Sequence, residues 1–146
     1  MRIQITLMIT ILAFTSTHYA KAHCQIPCGI YDDQLRIELM EEHAGTIKKS
    51  IQSINTSTVP SQQVRWTINR EEHADQLTEI VVDYFLTQRI KKSAPDYEKT
   101  VVQLHQIMQQ IMRCKQKQEV EQADQLLEMI HDFEHLYLKD KVIHAH

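Results

Sequence analysis

Glycine is nearly absent from this chain, and that constrains its fold more than any other feature. Two glycines in 146 residues leave few places where the backbone can take a left-handed turn without strain. Sandwiches, barrels, dinucleotide-binding folds and P-loops need turn or phosphate-cradling glycines, so they are excluded. A chain of this length makes one domain. Poor in Gly and Pro and rich in Ile, Leu, Gln, Glu and Lys, it reads as mostly helix. The formal charge is −3, which gives no broad basic footprint for a nucleic acid.

Residues 1–22 read as a separate object. Arg2 precedes an apolar stretch from Ile3 through Phe14, and Ala20-Lys21-Ala22 closes it. A charged start, an apolar middle and a small-x-small triplet are the order of a cleavable secretory signal. The apolar stretch is too short for a membrane span, which needs about 20 residues. Cleavage after Ala22 makes His23 the first residue, and no stable membrane association is expected afterwards. It also removes two of the 16 basic residues and no acids, leaving a charge of −5.

Residues 23–31 form a loop, because Pro27 and Gly29 oppose a helix. Four amphipathic segments follow in 32–146. The first runs from Asp32 or Asp33 to Ile54, with Met40, Ala44, Ile47, Ile51 and Ile54 on one face. Asn55 to Pro60 ends it. The second runs from Ser61 to Lys92, through Trp66, Arg70, His73, Leu77, Ile80 or Val81, and Tyr84. Ser93-Ala94-Pro95 stops it. The third covers Asp96 to Lys115, with a stripe of Val101, Leu104, Met108, Ile111 and Met112. The fourth covers Glu119 to Asp140, with Ala123, Leu126, Leu127, Ile130, Phe133 and Tyr137. Short connections between such segments predict an all-α, antiparallel four-helix bundle. Glu-Glu-His-Ala occurs at 41–44 and 71–74, but the flanks differ, and the repeat reads as chance.

The chemistry concentrates in 23–31. Cys24 and Cys28 in an exported chain permit a small-loop disulfide or a metal site. The neighbours favour the metal. A free His23 offers an amine and an imidazole, Cys24 an amide nitrogen and a thiolate, and Cys28 a second thiolate. Two nitrogens and two thiolates in a plane suit Ni(II) or Cu(II), whereas zinc prefers a tetrahedron. Anionic sulfur and amide donors also stabilise an oxidised metal.

His23-Cys24-x-x-Pro27-Cys28-Gly29-x-Tyr31 resembles the nickel hook of the nickel superoxide dismutase family. Arg36-Ile37-Glu38, Trp66, Arg70 to Ala74, and Tyr84 to Lys91 are similar to family segments further along. The likeness is strong at the hook and loose beyond residue 90. It implies a four-helix bundle assembled as a hexamer, one nickel ion per subunit, and disproportionation of superoxide to oxygen and hydrogen peroxide. It places His23, Cys24 and Cys28 as nickel ligands and Tyr31 along the substrate approach. Glu38 corresponds to the glutamate that hydrogen-bonds the axial imidazole. Gln25 stands where other members have Asp, and one residue fewer separates Tyr31 from Arg36. The family's imidazole-orienting arginine falls near His73, with Arg70 one turn earlier, and neither is assigned.

The resemblance also implies a maturation peptidase. The leader points to a periplasmic or extracellular location, the alternative being a cytoplasmic protein with a processed leader. The competing function is an exported, non-catalytic helical protein that binds copper or nickel through the same hook. Elsewhere, His43 and His73 read as core or interface residues, and Cys114 as a buried structural thiol. Glu128 and His131 form a lone Glu-x-x-His, whereas a di-iron bundle needs two. His144 and His146 read as a solvated tail.

Overall fold

A computed structural model describes residues 32–143, with side chains as far as Lys139. The described residues form four long α-helices: α1 (Asp33–Thr56), α2 (Pro60–Glu79), α3 (Tyr97–Gln116) and α4 (Val120–Ile143). A π-helix, π1 (Ile80–Arg89), continues α2 without a break. Each α-helix packs on two others: α1 on α2 and α4, and α3 on the same two. Three-residue links, 57–59 and 117–119, force their flanking helices to run antiparallel, so the four close into an up-down-up-down ring. No helix among the described residues is long and apolar enough to cross a membrane.

The helix ends follow local chemistry. Asp32 caps α1, its carboxylate accepting from the Gln34 amide at 2.8 Å, which satisfies one of the donors that every helix start leaves open. Pro60 was expected to close the first loop. Instead it opens α2 from the first turn, where its fixed φ is suited and its missing N–H costs nothing. The Gln63 side chain reaches back to the Ser57 carbonyl at 2.9 Å. The α3–α4 link contains neither Gly nor Pro. It is held from outside, by Asn55 Nδ2 donating to the Gln118 carbonyl at 2.8 Å.

The expected α1 face is buried throughout, with Ile37 added to it. In α4, Ala123, Leu126, Ile130 and Phe133 are fully buried, and Leu127 and Tyr137 pack against them. On α3 the expected stripe is rotated. Leu104 and Ile111 are buried, but Met112 is 51% exposed, and Thr100, Ile107, Gln110 and Cys114 complete the inner face. Steps of three and four from Thr100 reach all of these, whereas Met112 sits about 100° round from Ile111. Gln110 tolerates burial because its amide donates to the Gln122 carbonyl at 2.7 Å.

The Glu-Glu-His-Ala repeat is matched in space. Ala44 and Ala74 are both fully buried in the core, and the His43 and His73 rings meet across the α1–α2 contact.

The main departure from the sequence reading is π1. The whole of 61–92 was expected to be α-helical. From Ile80 onwards the backbone closes five residues apart, as in Ile90 N–H to the Phe85 carbonyl at 2.9 Å. Two side chains make the same five-residue reach: Thr87 Oγ1 to Val82 O at 2.7 Å and Gln88 Nε2 to Asp83 O at 2.8 Å. In an α-helix, residues five apart point about 140° away from each other. The wider turn instead brings Tyr84 and Arg89 to one side.

Candidate metal centre

The predicted ligands His23, Cys24 and Cys28, and Tyr31 with them, lie outside the described residues, as do the leader and His144 and His146. What is described is the base to which that segment is joined: the first turn of α1 and everything that grips it.

Asp33 is the centre of that grip. It is 7% exposed, in the first turn of α1, where the helix dipole favours a negative charge. Tyr84 Oη donates a short hydrogen bond to its Oδ1, and Tyr137 Oη donates to Oδ2 at 3.1 Å. Arg89 Nη2 donates to Oδ2 at 2.8 Å. Its Nε lies 2.7 Å from Oδ1 as an ion pair but off hydrogen-bond alignment. The carboxylate thus joins α1 to π1 and to α4. Burial raises the pKa of both tyrosines above the usual value, against the pull of Arg89 on each. They therefore remain protonated donors at neutral pH. Below them, Phe85 meets Tyr84, Phe133 and Tyr137 edge-on at 4.9–5.3 Å, a favourable aromatic geometry.

Two cations flank the same ring. The Arg36 and Arg89 guanidinium carbons lie 5.4 and 5.8 Å from the Tyr84 centroid, within cation–π range. Arg36, Tyr84 and His43 line one open cleft of about 210 Å³. Glu79 lines the same cleft, and Arg89 is paired with the Asp33 carboxylate.

Glu38 lies one turn on from Gln34 on the exposed side of α1. Gln34 Nε2 donates to Glu38 Oε1 at 3.3 Å and to Glu134 Oε1 at 2.9 Å. The structure does not bring Arg70 or His73 to Glu38 among the described contacts. Arg70, 6% exposed, holds Glu71 at 2.9 Å. His73 Nδ1 faces His43 Nδ1 at 2.8 Å, a hydrogen bond that requires at least one ring to be neutral. Burial first, and His73 second, lower the His43 value. Cys114 is free and fully buried, its thiol pushed up to about 11 by burial. It is a packing residue rather than a ligand.

Sequence reasoning missed the Asp33–Tyr84–Tyr137–Arg89 cluster. Asp33 was noted only as a helix-start residue, and Tyr84 and Tyr137 as stripe members. Nothing local in the sequence announces the π register that aligns Tyr84 with Arg89.

Residues 18–141 match the family model described as nickel-containing superoxide dismutase. Comparison with curated protein sequences finds no match. Among solved structures, the fold is similar to a native nickel superoxide dismutase at 20% identity, with a TM-score of 0.69, covering 82% of this chain and 99% of that one. A second nickel superoxide dismutase, described as partly reduced by X-rays, gives 18% identity and a TM-score of 0.70, covering 82% of this chain and 98% of that one.

Proposed function

The chain belongs to the nickel-containing superoxide dismutase family, and from that premise we propose how its own residues perform the reaction. It is a nickel-dependent oxidoreductase that disproportionates superoxide to oxygen and hydrogen peroxide. The non-catalytic metal-binding reading is not favoured. Bound nickel supplies the one-electron couple that takes an electron from one superoxide and gives it to another.

The observation that carries the assignment of ligands is the donor order in 23–31. The amine and imidazole of His23, the amide nitrogen and thiolate of Cys24, and the thiolate of Cys28 are nitrogen and sulfur donors of the kind that would hold nickel. Pro27 and Gly29 are turn-forming residues that would let Cys28 reach the same ion. Glu38, on the exposed face of α1, would orient the His23 imidazole by accepting from its far nitrogen, as carboxylates commonly do beside metal-bound histidine.

Tyr31 would stand at the substrate approach, where its hydroxyl can donate a hydrogen bond to the incoming anion. Reduction of the second superoxide to peroxide consumes two protons, and the Tyr31 hydroxyl, rejoined to solvent, passes one of them. Arg36 and Arg89 hold positive charge beside the same end of the bundle. Asp33 anchors the first turn, five residues from Cys28, so that the loop starts from a fixed base.

The amine ligand requires processing. The family match begins at residue 18, so the first 17 residues lie outside the family's length, in support of a removable leader. We place the cut after Ala22, made by a maturation peptidase, with export to the periplasm or beyond. The assembled state is a homohexamer. Native mass spectrometry tests the whole reading: each chain should begin at His23 and carry one nickel. Inserting one Ala before His23 should abolish activity by moving the amine out of chelate reach. A chain that begins at residue 1 and retains full activity would refute amine ligation.

A further inference from the structure

Polar side chains bridge α1 and α2 along the seam where the two helices run antiparallel. Gln63 Nε2 donates to the Ile54 carbonyl at 3.4 Å, and Asn69 Nδ2 donates to Ser50 Oγ at 2.9 Å. Further along, His43 Nδ1 and His73 Nδ1 meet at 2.8 Å, with ring centroids 5.0 Å apart. The amide and hydroxyl bridges keep the same protons at any ordinary pH, whereas the imidazole bridge does not. Next to it lies the cleft lined by Arg36 and His43 of α1, Gln76 and Glu79 of α2, and Tyr84 of π1. We propose that His43 and His73 form a pH-sensitive latch across the α1–α2 seam, closed while one ring can accept a hydrogen bond from the other and opened beside this cleft when both are protonated.

The contact tolerates two of its three protonation states. Two neutral rings share one Nδ1–H between them, and so do a neutral ring and an imidazolium. Two imidazoliums present donor to donor at hydrogen-bond distance, and like charges that close repel, with little screening where the rings are half-buried. The next residue on each helix, Ala44 and Ala74, is fully buried. Their small side chains hold the helices close, so the charged rings gain distance by moving the helices apart. α1 carries Asp33, and π1, continuous with α2, carries the Tyr84 and Arg89 groups that hold it. Acid therefore reaches the base of the N-terminal segment through the helices, at a distance from that segment.

The charges around the pair leave its balance to its own protons. On α1, Glu42 beside His43 is exposed, and on α2 so are Glu72 beside His73 and Glu79 in the cleft, so water weakens their attraction for an imidazolium. Tyr84 of π1 stays neutral, because burial raises its pKa. On α3, Lys115 is engaged by Glu71 and Asp75, and on α4, Asp124 is engaged by Lys48. Burial first, and His73 second, hold His43 below its ordinary 6.5, against the pull of Glu42. The closed seam is thus favoured above pH 6.5 and loses that support as pH falls through the lowered folded value.

Amide hydrogen exchange of the processed, nickel-loaded protein, read by mass spectrometry and corrected for the intrinsic pH dependence of exchange, tests the latch. Peptides covering residues 37–47 and 70–80 should lose protection between about pH 7 and pH 5, by about 10-fold per pH unit at most, the limit for uptake of one proton. Peptides from α3 should keep theirs. His43→Gln and His73→Gln each leave a single imidazole beside an uncharged amide and should abolish the loss. His131→Gln, at an exposed position of α4, should show the same loss as the parent. Protection that does not change with pH, the result if the rings swing out and leave the helices in place, overturns the proposal. So does a loss equally large in both pair variants, the result if acid acts through the metal instead. Should either variant fail to fold, nitrogen-15 spectra of the parent imidazoles decide: protonation of the pair in two separate steps upholds the latch, and a single step for both rings at the ordinary 6.5 overturns it.

Discussion

Replacing Asp33 by Asn tests the grip at the base of the hook. The substitution keeps the shape but removes the charge and turns an NH₂ group towards donors. Among the described residues, Tyr84 and Arg89 approach Oδ1, and Tyr137 and Arg89 approach Oδ2. Asn retains one acceptor oxygen, so one side of this arrangement must face donor against donor. Hydrogen bonds to a charged group contribute about 1.5–3 kcal/mol each, and breaking a buried pair costs about 3–5 kcal/mol. Arg89 is about a third exposed, and water will take over part of its solvation. The net expectation is about 3 kcal/mol. Urea unfolding of Asp33→Asn, Arg89→Met and the double variant measures it as a cycle. The midpoint should fall with the slope unchanged, and the double variant should lose about 1.5 kcal/mol less than the sum of the singles. A loss below about 0.5 kcal/mol, the level of an ordinary surface change, would refute the reasoning. So would additivity to within about 0.5 kcal/mol, which is the behaviour of sites that do not touch.

Two further outcomes follow from buried titratable groups. The folded His43 value lies below its ordinary 6.5 because of burial and the facing His73, opposed only by Glu42. The stability it contributes is present above pH 6.5 and is lost as pH falls through the lowered folded value. His43→Gln should flatten that part of the stability curve measured by urea titration. Cys114, raised to about 11 and fully buried, should resist iodoacetamide at pH 8 in the native protein and react only on unfolding. Labelling of Cys114 at the rate of a free thiol in folded protein would contradict its burial.

How far the sequence could be read depended on whether a feature is local. Helix starts and stops are mostly local: Asp32 caps α1 as its side chain suggests, whereas Pro60 opens α2 instead of closing the loop and the 117–119 link carries no turn residue. The α1 face, from Met40 to Ile54, was legible because its spacing is regular and uninterrupted. On α3 the apolar residues outnumber the inner positions. Met108 and Met112 compete with Ile107 and Ile111, and only the neighbours α2 and α4 decide which are buried. The π-helix was not legible at all. Ile80 to Arg89 carries the composition of an ordinary helix, and its wider turn pays off only through what it aligns, the Tyr84 hydroxyl and the Arg89 guanidinium on one carboxylate 50 residues earlier.

The proposed hook and the α1–α4 seam differ in how much of a ligand set can be read from donor order alone. In 23–31 nine consecutive residues carry the whole proposed ligand set, because adjacent backbone and side-chain atoms can close small chelate rings without help from the fold. The signal is therefore complete in the sequence. Glu41, His131 and Glu134 are brought together from helices 90 residues apart. Within α4 alone they look like the exposed, charged side of an amphipathic helix. Only the closure of the ring, which lays α4 against α1, puts Glu41 beside them. A bundle makes such groupings wherever two polar edges meet, so what folding brings together has to be sought at helix–helix seams, and chelation by sequence at the free end of the chain.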